Sequence, residues 1–333
     1  MISIKAKRGW IGYLRRIVQL FFLVLILYGG YFGFTKLSSD SIQRSEDDLR
    51  AAEINANLRK DPRLPIYLPI HSCKNTDKEY GTFQGCSMFM ASEMIIYGSY
   101  MSFALPVLVV VLSAFLFGRT WCGWACPVGF IQEMLDKLRG WLRISYIRLS
   151  RQANRLLRSF RLWWLAVLFL ISFTVALPFF SVIRKDLHNF NCFTCPTRYA
   201  LWFFPKFSPT FMSFKSTFYS IGSVIVIIFI GVVITSFLIR RFWCRICPNG
   251  TLLALFNKGC LTTKEKDIQK CTKCGICYNV CPMDNEDVYT VKHRKIVNSK
   301  NCVMCFECVD RCPEDDCLKV KFAGKTFLRS RFK

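Results

Sequence analysis

The chain has 333 residues, 52% of them hydrophobic, with 18 cysteines and a formal net charge of +24. That combination fits neither a small secreted disulfide scaffold nor an ordinary soluble domain. The basic excess does not require nucleic acid, because Lys and Arg collect in the cytoplasmic segments of membrane proteins and no nucleic-acid recognition motif is present.

Crossing a bilayer takes about 20 apolar residues. Four runs predict spans: Ile17–Phe34, Ile95–Phe117, Leu162–Ile183 and Phe218–Ile239. The first follows a basic start, "KAKRGWIGYLRR", but it is long for a signal peptide and no small-residue cleavage site follows, so it reads as a retained helix. Residues 1–16 carry five Lys/Arg and no acid, and 118–161 carry nine against Glu133 and Asp136. Nineteen more follow Ile239. The positive-inside rule therefore predicts cytoplasmic termini and a cytoplasmic 118–161 segment, with loops 35–94 and 184–217 outside. Lys137–Arg161 reads either as a basic amphipathic helix on the inner membrane surface or as an ordinary cytoplasmic loop. The aromatic stretch 200–214, broken by Pro205 and Pro209, suits the outer interface. No histidine lies within the four spans, which excludes a bis-histidine haem there.

Two cysteine pairs sit where spans end: Cys122-x3-Cys126-Pro127 and Cys244-x2-Cys247-Pro248. Arg119 and Trp121 precede the first pair, and Arg241 and Trp243 the second. Gly129 and Gly250 follow the prolines, and then an amphipathic stretch begins. One pair cannot complete a metal site. Two pairs at one membrane depth supply the four thiolates that an iron–sulfur cluster or a zinc ion needs.

Near the C-terminal end, Cys271, Cys274, Cys277 and Cys281-Pro282 follow C-x2-C-x2-C-x3-C-P, and Cys302, Cys305, Cys308 and Cys312-Pro313 repeat it. In this run the fourth cysteine ligates the other cluster. The spacing predicts one [4Fe–4S] site of Cys271, Cys274, Cys277 and Cys312, and a second of Cys302, Cys305, Cys308 and Cys281. Zinc knuckles are the rival reading, but they rarely use this run with a trailing proline. Phe306 and Glu307 stand where the first motif has Gly275 and Ile276, which predicts a less standard turn.

Four spans with both termini inside, cysteine pairs after spans and two ferredoxin motifs resemble the NapH/NosR/MauN-type membrane ferredoxins. The resemblance covers most of the chain from about Met94, excluding loop 184–217. It implies electrons drawn from menaquinol or ubiquinol and passed through iron–sulfur centres to partner proteins. The chain departs from the pattern in its second membrane pair, which is C-x2-C-P rather than C-x3-C-P.

The outer loops hold Cys73, Cys86, Cys192 and Cys195, a set not associated with that family. Disulfides are one reading, the default outside the cytoplasm. A further cluster is the other, since an x2 pair is a common ligand spacing and an awkward structural disulfide. His71 and His188 lie two and four residues before cysteines, as ligands, proton acceptors or plain loop histidines. Cys260 and Cys317 are left over.

The expected fold is an α-helical membrane protein with four transmembrane helices, residues 1–259, followed by a cytoplasmic α+β ferredoxin domain carrying two [4Fe–4S] clusters, residues 260–333. The expected setting is a prokaryotic inner membrane. There the protein serves as an electron-transfer subunit between quinone and redox partner subunits on the cytoplasmic side, and on the outer side too if an outer centre exists. A redox-linked maturation or regulatory ferredoxin and a structural zinc protein are the competing readings. No Rossmann fingerprint, P-loop or catalytic-triad motif points to a substrate site other than a quinone pocket.

Overall fold

The computed structural model describes residues 9–32, 64–73, 81–98, 100–180, 190–193, 195, 197, 230–291 and 295–331. His188, the 200–214 stretch and residues 218–229 of the fourth expected span lie outside them.

In chain order the elements are α1 (Trp10–Tyr28), β1 (Leu64–Leu68), β2 (Phe83–Cys86), α2 (Ser87–Tyr97), α3 (Tyr100–Phe117), α4 (Thr120–Trp124), α5 (Pro127–Trp141), α6 (Arg151–Ala176) and α7 (Phe190–Phe193). Residues 230–238 are helical. There follow α8 (Phe242–Ile246), α9 (Pro248–Phe256), β3 (Thr262–Lys266), α10 (Ile276–Asn279), α11 (Asp287–Thr290), α12 (Glu307–Asp310), β4 (Leu318–Phe322) and β5 (Lys325–Arg329).

Among the described residues three helices are long and apolar enough to cross a membrane: Trp10–Phe32, Tyr100–Phe117 and Arg151–Ala176. The second has a mean hydropathy of 2.3 and presents Met101, Leu105, Leu108 and Leu112 at its surface, which only lipid or another apolar partner would tolerate in such density. Their bounds differ from the sequence expectation in three places. The first helix starts earlier, taking in Arg15, because that guanidinium is paired with Glu133 and Glu307 rather than solvated. The second run is split at Gly98, whose left-handed φ of 65° caps α2 before α3 begins. The third starts at Arg151 and ends at Ala176, ahead of Pro178. Lys137–Arg161 is accordingly no single surface helix. It comprises the end of α5, a non-helical stretch entered through Arg143 at φ 58°, and the opening turns of α6.

The chain packs as two compact units, Met1–Leu20 with Leu112–Arg158 and Ser236–Lys333, and Phe21–Val111 with Ser159–Thr235. In the first, β3, β4 and β5 form an antiparallel sheet in that order, with Thr262 opposite Phe322 and Lys266 opposite Leu318. The two ferredoxin motifs pack against it through Met304, Phe306, Val309, Leu318 and Val320. The inner cysteine pairs belong to this same unit, so they pack with the ferredoxin part although they precede residue 260. The second unit contains the parallel pair β1–β2, with Leu68 opposite Cys86, and an apolar cluster of Tyr67, Phe89, Met90 and Phe103.

Candidate iron–sulfur sites

The two inner pairs are built alike. Cys122 lies in the short helix α4 and Cys244 in the short helix α8. Cys126 and Cys247 are the N-caps of α5 and α9, with Pro127 and Pro248 as the first helical residues. Proline is pre-organised for that position and lacks only an amide that would be orphaned there anyway. The helix start directs free N–H groups and the positive end of the dipole at the cap, which favours a thiolate. At Cys247 the bond is explicit, as the Gly250 amide donates to its Sγ at 3.3 Å.

The arginines ahead of the pairs cross over. Arg119 Nη2 donates to the Cys244 carbonyl at 3.1 Å, and Arg241 Nη1 donates to the Cys122 carbonyl at 3.3 Å. Each thus fastens the other repeat's first cysteine. Both are 1% exposed. The glycines complete the exchange: a Cβ on Gly129 would stand 3.5 Å from Arg241 Nη2, and one on Gly250 would stand 3.0 Å from Arg119 Nη2. The residue pattern Arg…Cys…Cys-Pro…Gly is therefore one half of a reciprocal clamp. Gln132 adds a further tie, donating toward Cys244 Sγ at 3.5 Å and accepting from the Trp243 amide.

The clamp brings Cys122, Cys126, Cys244 and Cys247 together. Burial pushes the Cys122 thiol up to about 12; Arg119 opposes this, and the nearby Cys126, Cys247 and Cys244 add to it. Burial likewise raises Cys244, against the pull of Arg241. Four buried thiols under two guanidiniums make a donor set suited to a thiolate-ligated cluster, whose net negative charge the arginines would offset. Burial works against the Arg241 charge itself, but Glu133 and the thiols Cys244 and Cys305 outweigh it and hold its pKa above the usual range.

The ferredoxin motifs gather their cysteines in two groups. Burial raises Cys277 to about 11, with Lys266 opposing and Cys274, Cys271 and Cys312 reinforcing the shift. Burial raises Cys281 to about 12, reinforced by Cys305 and Cys302. The fourth cysteine of each run thus stands with the other run's first three. Met304 N–H and Asn285 N–H each donate to a sulfur, Cys302 and Cys281 respectively, at 3.4 Å. Among the described residues no three Cys, His, Asp or Glu groups close around a single metal ion.

The second motif does not have a divergent turn. Phe306 takes φ 61°, beside φ 76° at Gly275, and Met304 and Lys273 match at φ 51° and 56°. The left-handed position is imposed on a phenylalanine, whose ring packs 5.9 Å from Trp124 and 6.1 Å from Phe327. Aromatic packing offsets a cost of roughly 1–2 kcal/mol for the left-handed backbone.

Several site residues were not foreseen from the sequence. Lys264 and Lys266 point inward from β3, and Lys264 Nζ lies 3.4 Å from Cys302 Sγ. Burial works against its charge, but Cys302, Cys308, Cys281 and Cys305 outweigh that and raise its pKa. Lys266 Nζ donates to the Val288 carbonyl at 2.9 Å. Arg15 joins Glu133 of α5 to Glu307 of α12 at 3.0 and 3.1 Å, and Glu133 also pairs with Arg241. Cys317, one of the two leftover thiols, donates to the Asp267 carbonyl at 3.6 Å, and its nearness to Cys312 draws that thiol's pKa down. Cys260 is buried and donates to the Thr262 carbonyl at 3.0 Å.

The inner site and the second ferredoxin motif are in direct contact. A Cβ on Gly123 would run into the Val303 carbonyl oxygen and reach 3.4 Å from the Cys305 backbone. Trp124 Nε1 donates to the Met304 carbonyl at 3.0 Å, and Cys122, Cys244, Val303 and Cys305 share one apolar cluster. The first motif is the open one: Cys274 is exposed, and so are Thr272 and Lys273 just before it.

The 4Fe-4S binding domain family matches residues 99–145 and 221–264, one segment for each inner pair, and the 4Fe-4S dicluster domain family matches 263–313. An uncharacterized protein of Methanocaldococcus jannaschii is 27% identical over 69% of this chain and 84% of its own length. The ferredoxin-type protein NapH of Escherichia coli is 28% identical over 63% of this chain and 64% of its own length. The methylamine utilization ferredoxin-type protein MauN of Methylobacillus flagellatus is 26% identical over 58% and 60%. No solved structure matches the chain. The cysteines of the three segments matched by these two domain families all pack into one unit here, and the chain is similar to the NapH/MauN-type polyferredoxins.

Proposed function

We propose that this iron–sulfur electron-transfer protein relays electrons between the membrane quinone pool and redox partner subunits, in the order inner cysteine site, second ferredoxin motif, first ferredoxin motif. When bound, iron–sulfur clusters supply one-electron transfer without a bond being made or broken at the protein. The observation that carries the order is the contact at Gly123, which seats the inner cysteines against Val303 and Cys305. The exposed rim at Cys274 supports the first motif as the end that meets a partner. Residues 1–259 are the membrane-embedded portion in this reading and 260–333 the cytoplasmic ferredoxin. Both termini are cytoplasmic and four spans cross a prokaryotic inner membrane. This is a division by environment; packing joins the inner cysteines to the ferredoxin.

The residues of the chain set the conditions for transfer. Arg119 and Arg241 hold positive charge over the inner thiols, and Lys264 does so over the second motif. Each favours the reduced, more negative state of the site it faces. The NapH and MauN names say only that those relatives are ferredoxin-type proteins; the quinone and the partners are part of the proposal here.

The test is anaerobic titration of the full chain, in detergent and with its partners present, against a menaquinol analogue. Quinol-dependent appearance of the reduced-cluster EPR signals supports the reading. Signals that appear with dithionite but never with quinol contradict it.

A further inference from the structure

The second unit holds a cysteine set of its own. Cys73, Cys86, Cys192 and Cys195 lie outside the residues matched by either domain family, and none is in a disulfide. They arrive from three pieces of chain. Cys73 follows β1, Cys86 ends β2, and Cys192 and Cys195 lie in and just beyond α7, where the Cys195 amide donates to the Cys192 carbonyl at 3.3 Å.

The local fold draws these pieces together. β1 runs parallel to β2 with Leu68 opposite Cys86. Beyond Leu68 the chain turns, and Ser72 Oγ donates to the Gly85 carbonyl at 2.5 Å, holding His71 and Cys73 beside the end of β2. His71 Nδ1 lies 3.5 Å from Cys195 Sγ. Cys86 and Cys192 pack against the same apolar cluster of Tyr67, Phe89, Met90 and Phe103. Cys73 and His71 are 8% and 6% exposed.

Cys86 repeats the device seen at Cys126 and Cys247. It is the N-cap of α2, an eleven-residue helix, which sets it at the positive end of the helix dipole, with no side-chain cap hydrogen bond made there. A structural disulfide gains little from such surroundings, since its sulfurs carry no charge. Thiolates that ligate iron do gain, and here a helix N-terminus faces Cys86 and an imidazole faces Cys195. An x2 pair such as Cys192 and Cys195 is likewise a common ligand spacing.

We propose that Cys73, Cys86, Cys192 and Cys195 ligate a further iron–sulfur centre in the second unit, with His71 hydrogen-bonded to the Cys195 sulfur. The ligands are the four thiols; His71 is a neighbour of the sulfur and not a fifth ligand. The assignment stands apart from the quinone reading and survives its failure.

Two measurements on the full chain, purified anaerobically, test it. The first is anaerobic acid denaturation without reductant, then alkylation with iodoacetamide at mildly alkaline pH, where the thiols ionise, followed by peptide mass spectrometry. All four cysteines alkylated is the expected result, and recovery of any two of them as a disulfide-linked peptide overturns the proposal. The second is metal content of a Cys192→Ser, Cys195→Ser variant. The expected loss is about four irons per chain, or about two for a two-iron cluster, with the ferredoxin EPR signals unchanged. Unchanged iron, or loss of zinc in place of iron, overturns it. If that variant does not accumulate, total iron of the unaltered chain decides: about sixteen per chain supports four sites, and about twelve contradicts the fourth.

Discussion

The two ferredoxin motifs share a backbone and differ in their surroundings. Left-handed residues fall at the same two places in each, Lys273 and Gly275 in one and Met304 and Phe306 in the other. Around the first, Cys274 is exposed and Lys270, Thr272 and Lys273 line the surface. Around the second, Cys302, Cys305 and Cys308 are buried, Lys264 reaches a sulfur, and α4 with its inner cysteine is packed against Val303. Ligand spacing fixes what a motif can hold. Its neighbours fix what passes to and from it, and here they distinguish an inward-facing site from an outward-facing one.

That contrast can be broken most severely at Arg15. Arg15→Ala removes the buried partner that Glu133 and Glu307 share; Glu133 keeps Arg241 and Glu307 keeps Arg311, so the cost should fall at the low end of the range for a broken buried pair, about 3 kcal/mol. Denaturant unfolding should show the loss, and Arg15→Lys should recover part of it. Gly123→Val is the next largest. The side chain has to displace the Val303 carbonyl, an overpacking cost of about 1–3 kcal/mol, and magnetic coupling between the inner and second-motif sites should weaken while first-motif signals persist.

A smaller change separates the motifs electrostatically. Lys264→Gln removes the ammonium facing Cys302, so the midpoint potential of the second-motif cluster should fall by on the order of 60 mV, a tenfold change in its one-electron equilibrium. Lys266→Gln should move the first-motif cluster instead, since Lys266 acts on Cys277. Potentiometric EPR titration of both variants checks the assignment; a shift of the same cluster in both would refute it. Smallest is Gly275→Ala. With φ at 76° and a neighbouring ring 4.0 Å away, the cost is backbone strain alone, about 1–2 kcal/mol at most. Thermal unfolding should register a drop of that size with iron content unchanged.

Much of this was legible beforehand because cysteine ligation leaves a spacing signature. The C-x2-C-x2-C-x3-C-P runs and the repeated Arg…Cys…Cys-Pro…Gly pattern both announce themselves in one dimension. What the arginines and glycines do is another matter: Arg119 serves the cysteine of the other repeat, 125 residues away, and no local pattern reveals a crossed partner. The lysines of β3 were hidden for the opposite reason. "TTKEK" alternates like a solvated polar strand, and the sheet turns its Thr and Lys face to the cysteines instead. Phe306 misled because a non-glycine residue argues against a left-handed turn, yet Trp124 and Phe327 hold it there. Helix ends were misplaced where charge was the guide, at Arg15 and Arg151, because a buried partner or a long helix can absorb arginines that hydropathy would leave in water.

The central claim is that Cys122, Cys126, Cys244 and Cys247 form one site. Iron content of three variants tests it directly: Cys122→Ser with Cys126→Ser, Cys244→Ser with Cys247→Ser, and all four changes together. One shared site predicts that each double variant loses about four irons and that the fourfold variant loses no more. A fourfold loss equal to the sum of the two double losses would mean two independent sites and would contradict the account.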